Sequence, residues 1–241
     1  MKQRVAEALD AALRRAVADV ATSCSDDRVS KDRTLSEDRE LIDRLLTAWY
    51  QLSAPRIEPD PPEDMRVGEV DDNGWWEWRL VESTVTTADL DDLEDELGLT
   101  LPPFYRAFLL SRACLGLEFG DFGVYSLPSL PTTDPLAKVE DLLFSDLRPE
   151  AGYLQFGSAR GCGDLLCFDT HSPDAEGDYP VVVIDHELIA PDSPREVMSY
   201  YAAIVAPSFR DFLPRLLRED PSLFPPPLNP AELARNNAAK K

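Results

Sequence analysis

Asp164 and Asp169 flank an apolar run, Leu165–Phe168, and paired carboxylates are the groups that glycosidases use as acid and base. On a strand, residues five apart point to opposite faces and lie about 16 Å apart, too far for a shared substrate. Asp164 is therefore expected to bond the backbone N–H groups of the turn holding Gly161 and Gly163. Gly157, Gly161 and Gly163 make no phosphate-binding loop, because no GK[ST] follows and the next element reads as a strand. His186 precedes Glu187, but no second histidine follows at helical spacing, so a zinc-protease motif is excluded. His171 sits in a polar loop, and no GxSxG supplies a serine nucleophile. Cys24, Cys114, Cys162 and Cys167 form no CxxC pair, and two histidines are too few to complete a Cys/His zinc site. Cys167, inside the apolar run, reads as a small buried hydrophobe. No catalytic residue, cofactor site or metal site is expected.

Two clusters suit binding rather than catalysis. Asp89–Glu96 is the densest run of charge, without the alternating ligands and central glycine of a calcium loop. It reads as a solvated helix face or as a face for a partner. Trp75, Trp76 and Trp78 read as a sugar-stacking platform, an interface hot spot or, for Trp76 and Trp78, core anchors. In a strand Trp76 and Trp78 share one face, suited to the core, and Trp75 points the other way.

The formal net charge of the 241 residues is −21. Residues 71–150 hold 17 acidic and 5 basic groups, more than half of the excess. Such a surface disfavours nucleic-acid phosphates, which need basic side chains, and favours basic partners through steering. No run approaches the ~18 apolar residues of a membrane span. The N-terminus, interrupted by arginines, lacks the apolar core of a signal peptide. The expectation is a cytoplasmic protein with no membrane contact.

The periodicity predicts elements that position these residues. Residues 3–20 carry an amphipathic stripe, residues 21–36 read as a polar loop, and Ser36 is expected to cap a helix through Leu52. That helix has the stripe Leu41, Leu45, Leu46, Trp49 and Leu52. Pro55, Pro59, Pro61 and Pro62 predict a stiff linker. Thr86 with Asp89 forms a capping box ahead of Leu90, Leu93 and Leu97. Gly98 suits the left-handed position that ends this helix, and Pro102 or Pro103 starts the next. Strands are expected on both sides of Gly163 and at Val181–Asp185, with helices at Glu196–Val205 and Ser208–Leu217. The expected division is a helical extension 1–54, a linker 55–70, a domain 71–218 and a loose tail 219–241.

The ordered set resembles the SUKH superfamily, which includes bacterial toxin-immunity proteins and fungal cell-wall-synthesis regulators. It comprises the tryptophan-bearing strand, Leu90–Leu93–Glu94, Leu97–Gly98, Leu101–Pro102, Tyr105–Phe108–Leu109, Leu154–Phe156–Gly157, Gly163–Asp164, Cys167–Phe168–Asp169, Val181–Asp185–His186 and Phe209–Phe212–Leu213. Leu115–Gly116 departs from it, since members often carry asparagine before that glycine. The resemblance implies an α+β fold, one sheet packed by helices, here with an N-terminal helical extension. It implies a non-enzymatic immunity protein that neutralises a cognate toxin, a basic nuclease-type toxin being the best match to the acidity. The alternative within the same fold is a regulatory or scaffolding module that binds proteins. The expected contact residues are Asp71, Asp72, Asp89, Asp92, Asp95 and Asp121, with Trp75 as an apolar anchor.

Overall fold

The computed structural model describes residues 7, 11, 14, 31–52, 57–58, 60–113, 115, 117–119, 122–124, 135–143, 151–159, 163–175, 177–190, 193–218, 220 and 223. The chain divides into two compact units, residues 1–115 with 127–138, and residues 116–126 with 139–241. The helix expected over residues 3–20 lies outside the described residues except for Glu7, Ala11 and Arg14, which are helical. The expected tail lies outside them except for residues 220 and 223 near its start.

In the first unit, α1 spans Lys31–Leu52. It starts before the expected cap, and Ser36 is an exposed residue within it. Lysine, arginine and glutamate are good helix formers, so a polar stretch joined to an apolar stripe continues the helix. Leu41, Ile42, Leu45, Leu46 and Trp49 line its buried face. The proline-rich stretch is not purely extended. β1 (Ile57–Glu58), β2 (Arg66–Val67) and β3 (Trp76–Trp78) form a small antiparallel sheet in the order β1–β3–β2. Between β1 and β2 a 3-10 turn, Glu63–Met65, buries Met65 completely. Trp78 is buried as expected, whereas Trp76 is half-buried beneath the Arg66 guanidinium, 5.1 Å from its ring centre.

α2 (Thr87–Leu97) carries the capping box that its sequence predicts. Asp89 Oδ2 accepts from the Thr86 backbone N–H at 2.7 Å, and Thr86 Oγ1 accepts from Asp89 N–H at 3.3 Å. Leu90, Leu93 and Leu97 are its buried stripe, and Gly98 ends it at φ 66°. Pro102 precedes α3 (Pro103–Leu109), whose Phe104, Tyr105, Phe108 and Leu109 are buried. α1 packs on α3. β4 (Val81–Glu82) pairs with β5 (Arg112–Ala113).

The second unit is built on six antiparallel strands. β6 (Leu117–Phe119) and β7 (Phe122–Val124) form a hairpin, and α4 (Ala137–Leu143) follows. β8 (Tyr153–Ala159), β9 (Asp164–Asp169) and β10 (Val181–Ile184) are the central strands. After α5 (Arg195–Tyr201), β11 (Ala202–Ala206) pairs with β10 at one edge, in the order β11–β10–β9–β8–β7–β6. The helix expected over 196–205 therefore ends at Tyr201. Pairing of Ala202–Ala206 with the β-branched run of β10 overrides the helix propensity of alanine. α6 (Phe209–Leu217) closes the fold, with Ser208 as its N-cap.

Alternation along the strands gives the sheet two apolar faces. On one, Phe156 stacks on Phe168 at 4.1 Å, and Phe209 and Phe212 of α6 meet Phe156 edge-on at 5.6 and 6.0 Å. On the other, Tyr153, Cys167, Val182 and Ile184 pack with Met198 of α5. Burial pushes the Cys167 thiol up, away from thiolate chemistry. The α+β class is as expected. The described residues hold two small sheets beside the expected one.

Gly98 (φ 66°) has nothing within 4 Å of the site of a Cβ, and Gly163 (φ 92°) has only the His186 ring, at 3.8 Å or more. Gly98→Val and Gly163→Val should therefore each cost about 1–2 kcal/mol through backbone strain alone. Urea denaturation checks this, and unchanged midpoints would contradict it.

Burial, aided by the Asp174 charge, pushes Asp178 from 3.8 up to about 6, despite N–H bonds from Tyr179, Phe209 and Arg210. The fold thus favours the protonated form. The resulting stability is present below the unfolded value and is lost as pH rises through about 6. Asp178→Asn should raise stability at pH 7.5 by on the order of 1 kcal/mol and flatten its fall between pH 4 and 6. Thermal melts across that range read the effect.

The boundary at 71 is a proposal about which part folds alone. Tyr50 Oη donates to Trp78 O at 2.7 Å, and Asp43 pairs with Arg112, so α1 is bonded to residues beyond the proline-rich stretch. The fragment 71–218 should be less stable than the full chain in denaturant titration. Equal stability would make α1 an accessory extension.

Candidate functional site

Every described residue of the expected contact set belongs to the first unit, and two elements carry them. The turn joining β2 to β3 holds Asp71, Asp72 and Trp75. Asp71 organises it, since its Oδ1 accepts from Asn73 N–H at 2.9 Å and from Trp75 N–H at 2.8 Å. The backbone closes the same turn, with Asp71 N–H bonded to Trp75 O at 2.8 Å. These N–H groups, Trp75's foremost, hold the Asp71 carboxyl below its ordinary value. Asp72 is exposed, and Trp75 is 40% exposed, a large apolar ring displayed by a fixed turn.

α2 carries the other group. Its buried leucines fix which carboxylates face outward. Asp91 and Glu94 face Arg106 of α3, which bonds both at 2.5 Å. Glu94 also accepts from Leu101 N–H at 2.8 Å, joining the end of α2 to the start of α3. Asp92 and Asp95 are exposed, and their side chains, like that of Asp72, make no hydrogen bond or ion pair among the described residues. Asp89 is half-buried and engaged in its cap. The six described members thus separate by task. Asp71 and Asp89 hold local backbone, while Asp72, Asp92, Asp95 and Trp75 are available. Asp121 lies outside the described residues, as do Cys24, Cys114, Cys162 and Gly161.

Asp164 has a partner that the sequence does not indicate. Its Oδ1 accepts from the backbone N–H of His186 at 3.4 Å and lies 3.2 Å from His186 Nδ1. The N–H groups of Gly161 and Cys162 in the expected cap lie outside the described residues; within them, Asp164 ties the start of β9 to His186, just past the end of β10. Asp169, on the opposite face, is bonded by Arg195 Nη2 at 2.8 Å. The two aspartates thus serve separate structural contacts, consistent with their exclusion as a catalytic pair.

Sequence reading also misses a polar cleft of about 490 Å³ in the first unit. Arg39, Glu40 and Asp43 of α1 line it with Glu82 of β4 and with Ser111 and Arg112. Its walls come from three distant segments, so no local pattern marks it. Among the described residues no helix is long and apolar enough to cross a membrane.

Arg106 is the counter-charge that keeps α2 compatible with its acidity. Its side chain is 18% exposed and that of Glu94 16%. Arg106→Gln should lower stability by about 1–2 kcal/mol, because two carboxylates lose their partner. Raised salt should recover part of this loss by screening, read as the denaturation midpoint at two salt concentrations.

Residues 84–215 match the family model of the SMI1 / KNR4 family (SUKH-1), a span covering α2 through most of α6. No curated protein matches the chain.

Proposed function

The chain belongs to the SMI1 / KNR4 family (SUKH-1), whose domains serve in immunity or regulation by binding partner proteins, and on that premise we propose that it is an immunity protein. It binds a cognate bacterial toxin in the cytoplasm and neutralises it without chemistry of its own. The family match carries this reading. The charge of −21 supports a basic toxin, of the nuclease type, whose active-site cleft is built to receive phosphates. Carboxylates placed there would occupy the phosphate positions.

The contact surface draws on Asp72, Asp92 and Asp95 of the first unit, with Trp75 as the apolar anchor. Asp71 and Asp89 shape that surface from behind. Individual exposed carboxylates contribute under about 1 kcal/mol each, so the effect is collective.

The test is rescue of bacteria expressing the toxin encoded beside this protein. The natural chain should restore growth. The combined Asp72→Lys, Asp92→Lys and Asp95→Lys variant should fold normally and lose most of the rescue. Rescue by the natural chain with full retention in the variant would move the contact to another face. Failure of the natural chain to rescue would remove the immunity reading and favour a regulatory module.

A further inference from the structure

Three side chains from two strands of the second unit converge on one point. Asp164 opens β9 and is 3% exposed. Asp185 and His186 follow the last residue of β10. Asp185 Oδ1 accepts from Glu187 N–H at 3.0 Å, which turns the chain into a 3-10 segment, His186–Leu188. That turn brings the His186 ring onto Asp164, with Nδ1 3.2 Å from Oδ1. One ligand atom from each of the three residues lies within 4.8 Å of the other two.

This spacing is close to that of a coordination shell. Ligands about 2.1 Å from a first-row ion stand about 3.0 Å apart at adjacent octahedral positions and about 3.4 Å apart in a tetrahedron. The Asp164–His186 separation already falls in this range, and a side-chain adjustment of about 1 Å brings in Asp185. Among the described residues the second oxygen of Asp185 and Nε2 of His186 have no hydrogen-bond partner. Asp164 lies on β9, paired with Ala159 of β8, and Asp185 and His186 directly follow the paired end of β10, where Ile184 faces Leu165.

We propose that Asp164, Asp185 and His186 bind a divalent first-row cation, with zinc the best match, and that the ion ties the start of β9 to the end of β10. Imidazole with two carboxylates suits zinc, whereas calcium and magnesium require more oxygen ligands than this cluster offers. The ion takes the place of the proton between Asp164 and His186, and the neutral imidazole then carries its proton on Nε2. Two carboxylates offset the charge of the ion. Three protein ligands leave a fourth position for water.

The probe is Zn2+, titrated calorimetrically into the chelator-treated full chain, with Co2+ as its spectroscopic substitute. One equivalent should bind, and the Co2+ complex should show d–d bands without thiolate charge transfer. Asp185→Asn and His186→Gln, each shown folded by circular dichroism, should weaken zinc at least about tenfold. Asp164→Asn is not needed, since its buried contact with His186 confounds folding with binding. Three results would overturn the proposal: no heat at millimolar zinc, unchanged affinity in both variants, or a charge-transfer band placing the metal on cysteine.

Discussion

The stack of Phe156 on Phe168 is the contact on which the second unit depends. Phe156 occupies the position where the β8–β9 register shifts between Gln155 and Gly157. The bulge delivers its ring to the face that receives α6, where Phe209 and Phe212 meet it edge-on. Four aromatic rings thus join the two central strands to the last helix. Because β8 and β9 are held along their length, the turn at Gly163 and the buried Asp164 are held too. Phe156→Ala would remove the centre of this cluster, a change of the class that costs about 3–5 kcal/mol.

The acidity of the chain imposes the second constraint. A net charge of −21 repels itself in the folded state, so carboxylates near the core need counter-charges or N–H donors. The structure supplies both. Arg106 holds Asp91 and Glu94, Arg112 holds Asp43, and Arg195 holds Asp169 while lying over the Tyr153 ring. Asp71 and Asp89 use backbone N–H groups instead. What is left at the surface, in Asp72, Asp92 and Asp95, is charge that does no internal work among the described residues. Charge of that kind costs little to keep exposed, and under the proposed function it is what a basic partner would meet.

Local signals were legible in the sequence and tertiary ones were not. The capping box at Thr86–Asp89, the helix stop at Gly98 and the helix start at Pro102–Pro103 depend on residues within a few positions of one another. They form as their types dictate. The early start of α1 was hidden because its first residues are polar, and polarity marks an exposed helix as readily as a loop. β11 was hidden because alanine favours helix, and only β10 supplies the reason for a strand. The two-residue strands around the prolines were hidden because pairing at β3 makes them. At the candidate site, the sequence identified the acidic residues but not their tasks. Which carboxylate is bonded, and which is available, depends on Arg106 and on turn geometry. The contact of Asp164 with His186 spans 22 residues and leaves no local trace.

Under the proposed function, exposed carboxylates of the first unit steer and hold a basic toxin. The decisive measurement is the association rate of the purified chain with its proposed toxin, followed as ionic strength rises. Association should be rapid at low salt and should slow steeply as the Debye length shrinks from about 30 Å at 0.01 M to about 8 Å at 0.15 M. Tight binding whose association rate does not change with salt would contradict it.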